Sequence, residues 1–128
     1  MRKLILPLLL LCCTFAACGK TAIALPKPEQ IVSMEVREGT MTVTRDDPQY
    51  LRDVLKRASA AVPTDLKSVS DTPKQVDYVQ IELVQPQGSS RLFAYEDQGK
   101  YYLEQPYQGV YEIDRALYEL IVDGPASP

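Results

Sequence analysis

The sequence predicts a two-layer α+β domain, in which helices pack on an antiparallel sheet in the order ββαβββα. Three observations support this fold class. Five segments of the chain alternate apolar with polar residues, which is the period of a half-buried strand. Two other segments carry apolar residues at helical spacing. The turns between the last three strands are too short for crossover helices, so those strands should pair antiparallel.

The first half of the domain is predicted to be a hairpin followed by a helix. In "TMTVTR" the alternation places Met41 and Val43 on the inner face, and "QIVSMEVR" before it has the same pattern. An apolar stripe at helical spacing then runs over residues 50–62 and ends with Val62. Asp47 precedes the stripe and suits the N-cap, so the helix is expected to begin directly after it.

The second half is predicted to contain three strands and a second helix. The segments "QVDYVQIELVQ", "RLFAYE" and "YYLEQ" form a meander, with Leu103 as a core residue. Residues 63–74 are loop-like, and Ser68, Ser70 and Asp71 in this segment are interpreted as turn formers. Asp114 is the expected N-cap of the last helix, which has Leu117, Leu120 and Ile121 on its inner face and ends at Gly124.

The chain begins with a segment typical of export. Arg2 and Lys3 precede an apolar run over residues 4–17. The run is shorter than the ~20 residues that a membrane-spanning helix needs, so it predicts a signal peptide.

Small residues stand directly before Cys18, in the sequence "FAAC". This resembles the lipobox of bacterial lipoproteins, although Phe15 stands where that motif usually carries leucine. The resemblance implies that Cys18 is diacylated and becomes the first residue of the mature chain. Two acyl chains hold a protein stably on a membrane. The alternative is ordinary secretion, with cleavage after the small residues Ala22 and Ala24.

These assignments divide the chain into four parts. Residues 1–17 are the predicted signal peptide, and residues 18–29 are the lipidated cysteine and a proline-stiffened tether. Residues 30–124 form a single α+β domain, and residues 125–128 form a tail. All three cysteines lie at or before Cys18. The mature domain therefore has no disulfide framework, thiol nucleophile or cysteine metal site.

The composition argues against several classes of function. The formal charge is −3, and removal of Arg2 and Lys3 leaves 12 cationic and 17 acidic side chains, a balance of −5. A nucleic-acid partner is not expected, because it needs a basic face. Histidine is absent from the sequence. The carboxylates that could form a catalytic acid pair are Glu104 and Glu112, which flank the tyrosine-rich loop. We expect no catalysis, no cofactor and no metal, since no phosphate loop or metal-spaced cluster occurs.

The stretch "YYLEQPYQGVYEI", residues 101–113, holds four tyrosines. One interpretation is packing of a sheet, and the other is an exposed aromatic patch in the turn around Pro106. The candidate binding residues are Tyr102, Glu104, Tyr107 and Tyr111. Tyr107 lies outside the alternating pattern, so we expect it to contribute more to partner binding than to folding.

The same stretch, together with the earlier strand "VDYVQIEL", resembles an uncharacterised family of small domains in lipoproteins of Gram-positive bacteria, over about residues 30–122. The motif consists of Tyr102, Glu104, Pro106, Tyr107, Gly109 and Tyr111. The resemblance implies an extracytoplasmic, membrane-attached location and brings no activity with it.

The leading functional hypothesis is a monomeric, non-catalytic binding or sensing module on the extracytoplasmic face of the cell membrane. Its ligand would be a protein, a peptide or a cell-wall fragment. The alternative is an inhibitor or immunity protein that acts against a secreted enzyme or toxin. A ligand module should present a concave, aromatic-lined pocket, whereas an inhibitor should present a rigid protruding loop.

Overall fold

A computed structural model describes residues 21–125. The predicted signal peptide, Cys18 and residues 126–128 of the predicted tail lie outside the described residues. A 3-10 turn at Pro28–Gln30 precedes the regular elements, which are β1 (Ser33–Glu38), β2 (Met41–Arg45), α1 (Pro48–Ala58), β3 (Val62–Pro63), β4 (Val79–Gln85), β5 (Gly88–Asp97), β6 (Lys100–Gln105), β7 (Gly109–Ile113) and α2 (Arg115–Asp123).

The strands form one sheet in the order β2-β1-β4-β5-β6-β7-β3, and every pair is antiparallel. The predicted α+β class and antiparallel sheet are therefore confirmed. The predicted order ββαβββα lacks two strands of the described chain, β3 and β7. The strand β3 was not predicted, because Val62 continues the helical spacing of α1 in the sequence. In the structure the helix ends at Ala58, and Val62 is exposed. The strand β7 was not predicted either, because it follows a tight turn whose proline and glycine are typical of a loop.

Both helices pack on one face of the sheet. Their apolar stripes cover strand residues that alternate toward them, including the completely buried Leu103. The predicted N-caps are confirmed: the Asp47 carboxylate accepts a hydrogen bond of 2.9 Å from the Tyr50 N–H, and Asp114 accepts one of 2.7 Å from the Leu117 N–H. Each cap satisfies a backbone donor that the first helical turn leaves without an intrahelical partner.

Tyr50 joins the two helices. Its hydroxyl donates a hydrogen bond of 2.8 Å to the Leu120 carbonyl, near the end of α2. Burial raises the pKa of Tyr50 to about 12, and the Arg45 guanidinium over its ring opposes part of that rise. The phenol therefore stays protonated and keeps donating until the pH is well above 10.

The structure corrects the prediction for Met41 and Val43 on the edge strand β2. Met41 and Val43 lie on the helix-side face, as their alternation with the threonines predicts. However, 70% of Met41 and 38% of Val43 remain exposed. These residues are therefore not part of the core, because the helices leave the outer edge of the sheet uncovered.

The predicted tether is also corrected in part. Ile23 is only 8% exposed and belongs to the helix-side core. The Gln105 side chain accepts a hydrogen bond from the Ala24 N–H (3.0 Å) and donates one to the Ala24 carbonyl (2.6 Å). Residues 23–25 are thus packed onto the domain, since an apolar side chain and a paired backbone hold them there.

The segment over residues 64–78, which we call the strap, covers the other face of the sheet. It connects β3, at one edge, with β4, so it must cross β7, β6 and β5. It contains no helix or strand. Thr64 begins the crossing, where its N–H and hydroxyl both donate to the Val110 carbonyl at 3.0 and 2.7 Å. Within residues 21–125 no helix is long and apolar enough to span a membrane.

Candidate functional site

A buried carboxylate lies under the strap. Strand alternation places Leu103 toward the helices, so Glu104 on β6 points to the opposite face, where only 5% of it is exposed. Its carboxylate accepts hydrogen bonds from the Ser68 hydroxyl at 2.7 Å and from the Tyr95 hydroxyl at 3.0 Å. Ser68 is buried as well, at 7% exposure. The strap is therefore attached to the sheet through a polar cluster, and not only through apolar contact.

The electrostatics of this cluster are unusual. A buried carboxylate is normally paired with a cation, because burial of an isolated charge is costly. None of the ion pairs between residues 21 and 125 involves Glu104, whose partners are two hydroxyls. Burial and the adjacent Glu104 carboxylate raise the pKa of Tyr95 above its ordinary value. The Tyr95 phenol is thereby kept protonated as a donor.

Tyr107 occupies the turn between β6 and β7. Its φ is +63°, in the left-handed region that residues other than glycine seldom adopt. Its N–H donates to the Ser68 hydroxyl at 3.2 Å, and its own hydroxyl donates to the Asp71 carboxylate at 2.7 Å. The hydrogen bond to Asp71 raises the pKa of Tyr107. Both the backbone and the phenol of Tyr107 are thus fixed by the strap.

Around this turn the strap exposes apolar side chains. Leu66 is 50% exposed, and Val69 and Tyr107 are each 62% exposed. We call these three residues the strap patch. They border two shallow cavities, and Leu66 and Val69 line both. The cavity of about 400 Å³ also contacts Tyr107, whereas the cavity of about 330 Å³ reaches Tyr95 and Glu104.

The four predicted binding residues have different environments. Tyr107 is exposed, and Tyr102 is half-buried with its ring centroid 5.6 Å from that of Tyr95. Glu104 is buried but lines the smaller cavity. Tyr111 is only 2% exposed and belongs to the helix-side core, so we assign it to packing and remove it from the candidate surface. Of the four predicted binding residues, Tyr107 is the one whose side chain is mostly exposed.

The two members of the predicted acid pair lie on adjacent strands but not directly opposite each other. The register pairs Glu104 with Val110 and Glu112 with Tyr102. The two carboxylates line separate cavities, and Glu104 already accepts two hydrogen bonds. In the part of the chain that the structure describes, no group of three or more acidic, histidine or cysteine residues is arranged to hold a metal ion.

Sequence reasoning did not identify the strap as part of the site. It interpreted Ser68 and Asp71 as turn formers, although Ser68 contacts both Glu104 and Tyr107 and Asp71 holds the Tyr107 hydroxyl. These contacts join residues 36 or more positions apart. One available signal was the length of the segment, because long loops without secondary structure inside compact domains are uncommon and often functional.

Comparison with known proteins gives a family and a structural relative. The sequence profile of DUF5301, described as a domain of unknown function (DUF5300), matches residues 19–112. The NMR structure of a protein from Ruminococcus gnavus superposes with a TM-score of 0.64 at 29% identity, and covers 76% of this chain and 99% of that chain. No protein of curated function matches. The predicted resemblance to an uncharacterised family is confirmed, and the matched segment, residues 19–112, both starts and ends earlier than the predicted residues 30–122.

Proposed function

Because the chain belongs to the DUF5301 family of domains of unknown function, we propose a function from its site and its N-terminal sequence. The protein is a lipid-anchored, non-catalytic binding module on the extracytoplasmic face of the cell membrane. Cys18 carries the lipid, and the strap patch contacts the ligand.

The conformation of Tyr107 is the observation that supports the binding surface most directly. A residue other than glycine with φ of +63° is strained, and such strain persists where surrounding contacts impose it. Here Ser68 and Asp71 supply those contacts, while the ring stays 62% exposed. An immobilised tyrosine gives contact area at little cost in conformational entropy. The strap therefore presents a preorganised aromatic side chain to the solvent.

The anchor is supported by the sequence before the domain. Two alanines precede Cys18, and a signal-like apolar run precedes them. A diacylated cysteine would hold the domain on the membrane without electrostatic attraction to anionic lipid, which the balance of −5 opposes.

The anchor is tested by replacing one cysteine at a time in the producing cell. Cys18→Ala should move the protein out of the membrane fraction and abolish incorporation of labelled palmitate. Cys13→Ala is the matched control, because it removes a neighbouring cysteine that lacks the preceding alanines, and it should change neither property. Membrane retention with full labelling in Cys18→Ala would refute the anchor.

The binding surface is tested by site-directed photo-crosslinking in the same cells. A benzophenone amino acid replaces Tyr107 or, as a control, Met41, which is 70% exposed on the opposite face of the far edge strand. We expect one reproducible adduct from position 107 and none from position 41. Equal adducts at both positions, or none at either, would argue against a binding role for the strap patch.

The rigid turn at Tyr107 also supports the alternative hypothesis. Tyr107 in this turn is exposed, and hydrogen bonds to the strap hold both its backbone and its phenol, as expected of an inhibitory loop. An adduct between position 107 and a secreted enzyme or toxin would favour an inhibitor or immunity protein over a sensing module.

A further inference from the structure

The N-terminal segment leaves the domain beside the strap patch. Ala24 is hydrogen-bonded to Gln105, which directly precedes the turn that contains Tyr107. Thr21, the first described residue, lines the same cavity as Val69 and Tyr107. The chain that leads back to Cys18 therefore starts at the edge of the proposed binding surface, and not at a distant part of the domain.

The connection to the anchor is short. Cys18 precedes Thr21 by three residues, which span at most about 11 Å when fully extended. A lipid attached to Cys18 would thus hold Thr21 within that distance of the anchored cysteine, and the strap patch lines the same cavity as Thr21. The packing of residues 23–25 on the domain removes the longer tether that would allow the patch to move away.

The chemistry of the patch suits the surface of a bilayer. Leu66 and Val69 offer aliphatic groups, and tyrosine is enriched at the membrane–water interface, where its ring and hydroxyl face different media. Lys67 and Lys74 line the adjoining cavity and are exposed, so their ammonium groups can lie among headgroups while their stems cover apolar surface.

On these grounds we propose that the strap patch rests on the bilayer to which Cys18 is attached, so that lipid is the ligand of the proposed binding module at this surface and the adduct expected from position 107 is with lipid. The inference depends on the lipid anchor of the proposed function. It orients the domain: the strap patch faces the membrane, and the edge strand β2, separated from β7 by β1, β4, β5 and β6, lies away from it. The five inter-strand spacings between β2 and β7 correspond to about 24 Å of sheet at ~4.8 Å per spacing.

The absence of tryptophan from the chain allows a direct test. The mature lipoprotein is extracted from cells and reconstituted into phosphatidylcholine–phosphatidylglycerol vesicles whose acyl chains carry bromine, which quenches indole fluorescence at short range. Val69→Trp reports on the patch. Met41→Trp is the control, because Met41 is similarly exposed (70% against 62%) but lies on the opposite face at the far edge. We expect severalfold stronger quenching for Val69→Trp.

Vesicle flotation separates the possible outcomes. Protein that does not float with the vesicles refutes the anchor, and the orientation with it. Protein that floats but shows equal quenching at the two positions refutes the orientation and leaves the anchor intact. The indole of Val69→Trp could also be shielded from aqueous acrylamide and yet not be quenched by bromine. In that case another occupant, such as a second copy of the chain, covers the patch, and lipid contact is refuted. If Val69→Trp does not fold, Leu66→Trp replaces it, since Leu66 is 50% exposed in the same patch.

Discussion

Truncation of Leu103 should be far more destabilising than truncation of Tyr107, although only four positions separate them. Leu103 is completely buried, and its cross-strand neighbours Ala94 and Tyr111 are buried too. Leu103→Ala removes three carbons, which corresponds to about 2.4 kcal/mol of lost transfer free energy at ~0.8 kcal/mol per methylene.

The cavity adds to that loss. Ala94 has only a methyl group, which is too short to fill the space, and the Tyr111 ring is already buried in the helix-side core. With incomplete relaxation, the total decrease in the free energy of unfolding should be about 3–4 kcal/mol, within the range measured for buried leucines. Urea denaturation followed by circular dichroism measures it, with an unchanged m-value as the sign of two-state behaviour.

Tyr107→Ala is the comparison. Its ring is mostly exposed, so its removal leaves no internal cavity, and the loss should be much smaller than for Leu103→Ala. If the two substitutions lower the urea midpoint equally, the Tyr107 ring is part of the packing that folds the domain. The interpretation of the strap patch as a binding surface would then lose its main support.

Three further predictions concern the N-terminal segment, the N-cap of α2 and the Tyr50 phenol. A soluble chain that starts at residue 21 should have a higher urea midpoint than one that starts at residue 29, because only the longer chain keeps Ile23 in the core; equal midpoints would contradict this packing. Asp114→Ala should lower the free energy of unfolding by about 0.5–2 kcal/mol through loss of the α2 cap, measured by thermal melting against Asp123→Ala, an exposed acid at the other end of the helix. The pKa of Tyr50 is raised from 10.0 to about 12, so its contribution to stability is complete below pH 10 and is lost as the pH rises toward 12. Stability measured over this interval should fall less steeply in Tyr50→Phe, and an identical slope would show that this phenol does not titrate with unfolding.

Local patterns predicted what depends on neighbouring residues. The caps Asp47 and Asp114, the hairpin and the strands β4 to β6 all have their determinants within a few positions, and the structure contains each of them. A two-residue strand such as β3 has too few positions to show an alternation, and it exists only because β7 pairs with it.

The candidate site was less predictable because its contacts connect distant parts of the chain. The exposure of Tyr107 follows from the local interruption by Pro106, but its unusual backbone conformation depends on Ser68 and Asp71. The burial of Tyr111 depends on which face the helices cover. Ile23 lies in a proline-rich stretch without periodicity. The neighbouring Ala24 is hydrogen-bonded to Gln105, which is 81 residues away, so the burial of Ile23 depends on a distant part of the chain.

The strand order also has a kinetic consequence. Strands β4 to β7 are neighbours both in sequence and in the sheet, so they can pair through short turns. The hairpin of β1 and β2 and the strand β3 pair with the two sides of this meander although they precede it in the chain, with the strap between β3 and β4. Closing these longer loops costs chain entropy before any contact is gained, which slows folding. We expect the meander to form first and the outer strands to join late, so Leu103→Ala should slow folding, whereas Val36→Ala in β1 should mainly accelerate unfolding. Stopped-flow kinetics that show the reverse would mean that the chain begins to fold from its hairpin.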